Sequence, residues 1–253
     1  MENQWSRTEL LLGSEALAKL KQARVAVFGL GGVGGQAAEA LARSGIGTLD
    51  LIDGDRYVES NLNRQIFALH STLGVRKVDA AAVRLRDIDP ELVLHAHPVF
   101  FTAETADQLP LAEYDYIIDA IDMVSAKIEL IVRAKTLGVP VVSAMGAGNK
   151  VRPELLEICD LAKTTMDPLA RVMRKELRKR GVDKVTVVYS REEPAAAGAG
   201  RETRVALKQT EVDEETGAIR SWSRTVGSSV FVPAVSGLLL ASVVVNDLVQ
   251  GAR

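Results

Sequence analysis

The chain has 253 residues, 47% of them hydrophobic and 25% charged, with a formal net charge of −2. This is the balance of a soluble globular protein, with room for one large domain or a core with a substantial appendage. It excludes a whole-molecule field that would draw the chain onto nucleic acid, so any nucleic-acid ligand needs a local basic patch.

Residues 1–5 show no basic stretch followed by an apolar run, so no signal peptide is expected. The single cysteine, Cys159, allows no internal disulfide and no multi-cysteine zinc site. Both features suit a reducing, cytoplasmic setting. Residues 24–28 form a short apolar run that predicts a buried strand entering a turn at Gly29. Residues 37–42 predict a helix closed by Ser44-Gly45, and residues 48–53 a second strand, which completes a β-α-β unit. Residues 73–88 carry apolar side chains at helical spacing, and residues 92–101 and 114–118 read as strands. Residues 125–137 predict a helix ending at Gly138-Val-Pro140, and residues 141–144 a further strand.

This alternation predicts an α/β fold, a Rossmann-like and mostly parallel sheet with helices on both faces. Ligands of such sheets bind beyond the carboxyl ends of the strands. Those ends carry Gly29, Asp53, Asp119 with Asp122, and Gly146. Residues 1–150 thus read as a nucleotide-binding core, and residues 151–253 as a C-terminal β/α appendage within the same structural unit. Residues 167–180 predict a basic helix and 184–190 a strand. A mobile loop is expected over 192–202, with strands and turns over 203–224. The apolar run over 230–245 has sixteen residues, interrupted by Pro233 and Gly237 and ended by Asn246-Asp247. It falls short of the roughly 20 residues that span a bilayer, so a buried helix is expected and no stable membrane insertion.

Three groups of residues carry chemistry. Gly29-Leu-Gly31-Gly32-Val-Gly34-Gly35 lets backbone N–H groups approach a phosphate at a helix start. Asp53 lies nineteen residues past Gly34, where a carboxylate can accept both ribose hydroxyls. A nicotinamide dehydrogenase fits these positions equally well. The polar cluster that follows separates the two: Asp55, Asn61, Arg64 and Gln65, with Lys77 thirteen residues after Arg64. Reaction at an α-phosphate builds charge on phosphoryl oxygens, which Arg64 and Lys77 would stabilise while Asn61 and Gln65 orient it. Taken singly, these residues are plainer as a solvated loop and helix face. Asp119-Ala-Ile-Asp122 supplies carboxylates suited to Mg²⁺ on a triphosphate, and Asp122 reads equally as a helix N-cap. His95 and His97 share one strand face, lack a third ligand and are given no role.

Together the glycine loop, Asp53, Asn61-x-x-Arg64-Gln65, Lys77 and Asp122 resemble the ubiquitin-activating-enzyme-like superfamily of ThiF-like and MoeB-like adenylating enzymes. The resemblance implies ATP as nucleotide, Asp53 on its ribose, Arg64 and Lys77 on its phosphates, and Asp122 on Mg²⁺. Trp5-Ser-Arg7 and the residues up to Gly13 resemble a segment that donates an arginine across a homodimer, so Arg7 is the implied finger. Its alternative is a surface arginine on a frayed terminus. Residues 160–181, Val188-Tyr-Ser190 and residues 227–234 resemble the tRNA threonylcarbamoyladenosine dehydratase branch, so the likeness covers nearly the whole chain. It implies ATP-dependent dehydration of that nucleoside through an acyl-adenylate, with release of AMP and pyrophosphate.

Arg171, Arg174, Lys175, Arg178, Lys179, Arg180 and Lys184 fall within fourteen residues, opposed only by Glu176 and Asp183. Composition alone leaves a solvated face and a nucleic-acid footprint level, and the resemblance favours tRNA. A monovalent cation, Na⁺ or K⁺, and a sulfur-transfer or other accessory protein are further partners the resemblance leaves open. Cys159 reads as a structural thiol. The main rival is adenylation of the C-terminal glycine of a small ubiquitin-like or sulfur-carrier protein. A nucleotide-holding module without turnover and a nicotinamide oxidoreductase also stay open.

Overall fold

The computed structural model describes residues 2–195, 210–212, 219–221 and 226–250. Two short helices, α1 (Ser6–Leu12) and α2 (Ser14–Gln22), are separated by Gly13 at a φ of 87°, a conformation that favours glycine. Trp5 is buried, and its ring lies 3.4 Å from where a Cβ on Gly45 would sit. The terminus is therefore anchored on the core rather than frayed.

Strands β1 (Arg24–Phe28) and β2 (Thr48–Ile52) flank α3 (Gly34–Ser44). Then come α4 (Lys77–Ile88), β3 (Val93–His97), β4 (Tyr116–Asp119), α5 (Val124–Leu137) and β5 (Val141–Ala144). The chain continues through β6 (Leu156–Asp160), α6 (Pro168–Arg178) and β7 (Thr186–Ser190). β8 (Thr210–Val212) and β9 (Ile219–Ser221) pair with each other, and α7 (Phe231–Gln250) follows. Seven strands share one sheet in the order β3-β2-β1-β4-β5-β7-β6, with every pairing parallel except β6 against β7. Strands from both sides of residue 150 therefore belong to one sheet. The chain runs outward from β1 to β3 and resumes at β4 on the other side of β1, leaving a crevice at that reversal. Register aligns Phe28 with Ile52 and with Asp119, so three strand ends open side by side.

Alternate residues face opposite sides of the sheet. Val25, Val27, Leu49, Leu51, Ile118 and Val142 pack with α3, α4 and α7. Ala26, Phe28, Ile52, Ile117, Val141 and Val187 pack with α5 and α6. Gly45 and Gly138, with φ of 88° and 73°, close α3 and α5 in the left-handed form.

The structure departs from expectation at several ends. α4 begins at Lys77, not residue 73, because Gly74 turns the chain at a φ of 79° first. β3 ends at His97, ahead of Pro98, which releases Val99, Phe100 and Phe101 from the sheet. β6 has no counterpart in the sequence reading. Asn246 and Asp247 do not end α7, because the Asp247 carboxylate accepts the Tyr116 hydroxyl at 2.8 Å and is absorbed into the packing. The expected loop over 192–202 and strands over 203–224 lie largely outside the described residues; β8 and β9 belong to the described part. α7 is long and apolar enough to cross a membrane, with a mean hydropathy of 1.9, yet it lies along α3 with eight residues buried. A Cβ on Gly237 would come within 2.2 Å of Val33 O, so the two helices meet at backbone distance.

Candidate active site

The ends of β1, β2 and β4, the segment after β3 and the start of α7 enclose a cavity of about 260 Å³. Gly29, Gly31 and Gly32 form its floor. Gly29 has a φ of 88°, and a Cβ there would lie 2.7 Å from Ala120 O. Gly34 does not line the cavity. A Cβ on it would strike Gly29 O at 1.7 Å, so its work is to let the loop close on itself.

Asp53 leaves the end of β2 and joins it to this loop. One carboxylate oxygen accepts Leu30 N–H at 2.6 Å and the other Asp55 N–H at 2.8 Å. Burial pushes the Asp53 carboxyl above its ordinary value, with Lys77 pulling the other way. Lys77, the first residue of α4, is 6% exposed. Its Nζ lies 3.2 Å from Asp55 and 3.8 Å from Asp53.

Arg64 and Gln65 enter on a turn that Asn61 shapes. Asn61 O accepts the N–H of Arg64 at 3.1 Å and of Gln65 at 3.0 Å, and its side chain accepts Val58 N–H at 3.2 Å. Asn61 is thus a scaffold for the turn and does not line the cavity, which corrects its expected orienting role. The Arg64 guanidinium donates to Ser60 O and Asn63 Oδ1, each at 2.8 Å, and among the described residues no carboxylate pairs with it. Burial lowers its pKa from the ordinary value. Gln65, on the cavity wall, is 6% exposed, and among the described residues its Oε1 has no hydrogen-bond partner.

Asp119 and Asp122 part company. Asp119 is fully buried, 2.9 Å from the equally buried Lys127 Nζ, and accepts the Ser143 hydroxyl at 2.6 Å. It is spent on the core. Asp122 lines the cavity, and because α5 begins at Val124 with Met123 in the cap position, Asp122 is not the N-cap. Among the described residues no three His, Cys, Asp or Glu side chains cluster as metal ligands. The Asp122 carboxylate therefore fits a magnesium that takes its other ligands from phosphate and water.

Arg7 does not reach the cavity of its own chain. Its side chain is 88% exposed and sits 3.6 Å from Glu2. Sequence reasoning missed the apolar wall formed by Val99, Phe100, Phe101 and Met123, and the contribution of Ser228 and Pro233. Phe100 rests on Gly54, where a Cβ would lie 2.7 Å from the ring. The Val99-Phe-Phe101 run was the available signal, hidden by its reading as strand. Lys150 was also missed. Its Nζ meets Asp167 at 2.6 Å and Gly146 O at 2.7 Å, and Asp167 caps α6 by accepting Ala170 N–H at 2.9 Å.

The basic helix divides. Arg171, Lys175 and Arg178 are exposed and spaced to share one face of α6. Arg174 turns inward and donates to Leu161 O and Thr164 O at 3.1 and 2.8 Å, so it is a clasp rather than a free cation. Lys179 and Arg180 both pair with Glu176, at 2.7 and 3.0 Å. His97, given no role, is 2.8 Å from the buried Asp50, which Arg24 also holds at 2.8 Å. Burial, with Glu157 and Asp160 nearby, raises the Cys159 thiol pKa, the reverse of what a sulfur carrier needs.

Residues 5–191 match the ThiF family. The chain is 43% identical over 251 residues to the tRNA threonylcarbamoyladenosine dehydratase of Bacillus subtilis (strain 168), covering 99% of this chain and 96% of that one. Its structure is similar to that of the E. coli tRNA N6-threonylcarbamoyladenosine dehydratase in complex with ATP, with a TM-score of 0.83, 32% identity and coverage of 98% and 94%. E. coli MccB with ATP shares the fold alone, with a TM-score of 0.64 at 18% identity over 99% of this chain and 64% of that one.

Proposed function

The chain belongs to the ThiF family, and from that premise we propose that it dehydrates N6-threonylcarbamoyladenosine in tRNA, using ATP and an acyl-adenylate intermediate. The observation that carries the reading is a glycine-floored cavity in which, among the described residues, Arg64 has no carboxylate partner and Gln65 keeps an unpaired polar atom. The substrate follows from the likeness to the Bacillus subtilis dehydratase over nearly the full length of both chains.

In this reading the ribose lies on Asp53 and the phosphates above Gly31 and Gly32. A carboxylate oxygen of the threonylcarbamoyl group attacks the α-phosphorus. An O–P bond forms, the bond to the pyrophosphate oxygen breaks, and pyrophosphate leaves. Arg64 and Lys77 offset the charge that builds on the phosphoryl oxygens. The carbamoyl group of the same side chain then attacks the activated carbonyl and gives up a proton. AMP departs with the former carboxylate oxygen, so the side chain has lost one water. Both partners belong to one side chain, which gives the second step a very high effective concentration. Asp122 would hold magnesium, which when bound neutralises phosphate charge.

Further parts of the reading are structural. Arg7 is donated by a second copy of the chain, and the uncovered Leu10 and Leu11 on the same helix, 84% and 83% exposed, favour such a contact. Residues 1–150 carry the adenylation chemistry, while residues 151–253 supply the covering helix and a tRNA face made of Arg171, Lys175 and Arg178. The enzyme works in the cytoplasm. A monovalent cation and an accessory protein belong to the reading without residues assigned to them.

The test is nucleoside mass analysis of tRNA bearing threonylcarbamoyladenosine, incubated with the protein, ATP and magnesium. The expected result is loss of one water from that nucleoside, dependent on ATP and matched by AMP. An unchanged nucleoside, with ATP bound, would overturn the reading and favour activation of a small protein's C-terminal glycine.

A further inference from the structure

Asp122 stands exposed at the cavity, and among the described residues its carboxylate takes no hydrogen bond or ion pair. Its side chain has no anchor of its own, so the backbone that carries it decides where the carboxylate lies. That backbone is irregular. β4 ends at Asp119 and α5 begins at Val124 without a side-chain cap, so residues 120–123 belong to neither element. Ala120, Ile121, Asp122 and Met123 all line the cavity.

A buried ion pair lies behind this segment. Asp119, Lys127 and Ser143 are each fully buried. One oxygen of Asp119 accepts Ile121 N–H at 3.2 Å. The other meets Lys127 Nζ at 2.9 Å and accepts the Ser143 hydroxyl at 2.6 Å. Lys127 Nζ also donates to Ile121 O at 3.1 Å, and Lys127 N–H donates to Met123 O at 3.0 Å. The pair thus grips both backbone groups of Ile121, the residue before Asp122. Ala120 is held separately. Its N–H donates to Phe28 O at 2.8 Å, and its carbonyl rests on Gly29, where a Cβ would lie 2.7 Å away. Stability is a poor reason for such a pair, because apolar side chains of similar volume commonly serve a core as well. An ammonium and a carboxylate can do what apolar side chains cannot, which is to tie down backbone N–H and C=O groups.

We infer that Asp119 and Lys127 are positioning residues, which fix the backbone of Ile121 and so hold the Asp122 carboxylate in place for the magnesium that accompanies the nucleotide. The inference rests on the reading above, in which Asp122 is the magnesium ligand. Neither Asp119 nor Lys127 touches nucleotide or metal. Freed from Lys127, the backbone at Ile121 would gain freedom, and Asp122 would be ordered only on binding, at a cost in metal affinity. Ser143 stands one step further out and acts through Asp119.

The test compares wild type, Asp122→Ala and Lys127→Met/Asp119→Asn, all full length. The double variant removes the charge pair without leaving a lone buried charge. ATP affinity is measured by equilibrium binding in EDTA and again in magnesium, and the ratio gives the strengthening that magnesium confers. In the double variant, binding in EDTA is expected to match wild type, which also reports an intact fold. The strengthening is expected to fall roughly tenfold, toward the level of Asp122→Ala, as losing the partners of a metal ligand does. Ser143→Ala, a milder change that keeps the ion pair, is expected to lower it less. Leu130→Ala opens the core under the same helix without touching the segment, and is expected to keep the wild-type strengthening. An unchanged strengthening in the double variant, or an equal fall in Leu130→Ala, would overturn the inference. So would a loss of ATP affinity in EDTA as large as that in magnesium. If the double variant does not fold, Ser143→Ala decides, and an unchanged strengthening there overturns the inference. Asp122→Ala with the wild-type strengthening would remove the magnesium role and the inference with it. A wild-type protein that binds ATP yet leaves the tRNA unaltered would break the dehydratase reading instead, and the magnesium ratio, measured without tRNA, judges the inference separately.

Discussion

Arg64 and Lys77, thirteen residues apart in the chain, meet in one enclosed cavity, whereas the basic residues of α6 and its C-terminal end are set along a helix in water. In the cavity, burial makes an uncompensated charge costly. An arginine half-buried there, donating to a carbonyl and an amide oxygen but to no carboxylate among the described residues, is informative, because neutral acceptors do not cancel its charge. On α6 a charge costs little and says correspondingly little, and Arg174, Lys179 and Arg180, all expected to meet tRNA, are engaged by Glu176 or by backbone carbonyls. A count of positive charges therefore overstates the tRNA face and understates the phosphate site.

The comparison is open to breakage, most severely at Arg64. Arg64→Ala is expected to lower turnover by roughly 10²–10³-fold, the range for losing a charge-stabilising donor, with unchanged thermal stability. A loss smaller than about tenfold in steady-state assays would remove Arg64 from the chemistry. Comparable in size is the effect at the Lys150–Asp167 pair, whose side chains are 1% and 0% exposed. Asp167→Ala leaves a buried ammonium unpaired and is expected to cost about 3–5 kcal/mol in denaturant unfolding. The double change Lys150→Met/Asp167→Leu is expected to restore much of that stability.

Within α6 the division sharpens further. Arg174→Ala is expected to cost about 1–3 kcal/mol of stability, since two carbonyls lose their donor. Arg178→Ala is expected to leave stability alone and to reduce the salt slope of tRNA affinity by roughly 0.7–0.9, as one lost phosphate contact does. If Arg174→Ala shifted only the salt slope, the proposed division of the helix would be wrong.

The smallest effect concerns pH. Burial raises the Asp53 carboxyl above its unfolded value, so the unliganded fold is favoured with the proton on and loses that margin as pH rises toward the folded value. Ribose hydroxyls donate to the ionised form, so ATP affinity is expected to fall as pH is lowered through the raised value. Calorimetry on wild type and Asp53→Asn checks this, and a pH dependence that survives in the variant would place its source elsewhere.

The β1-α3-β2 unit, the glycine loop and Asp53 were legible in the sequence because buried strands read as apolar runs and glycine marks turns that other residues cannot make. β6 was not, because its residues are mostly half-exposed and its alternation is weak. The roles of Asn61 and Arg174 were not, because both depend on which way a side chain turns after the fold has formed. Phe100 and Ser228 were missed for a related reason: each belongs to a segment whose place at the cavity is set by distant partners, Gly54 and Asn149.

α7 carries one more consequence. It covers the sheet face that β1, β4 and β5 share with α3, and its first turn closes the nucleotide cavity. In translation it leaves the ribosome long after the strands it protects. Until then the nascent chain holds the glycine loop beside a bare apolar face, and the cavity lacks the wall that Pro233 supplies. The last wall of the cavity and the last cover of the core thus arrive on one element, and chains stalled before α7 are expected to aggregate through the uncovered face.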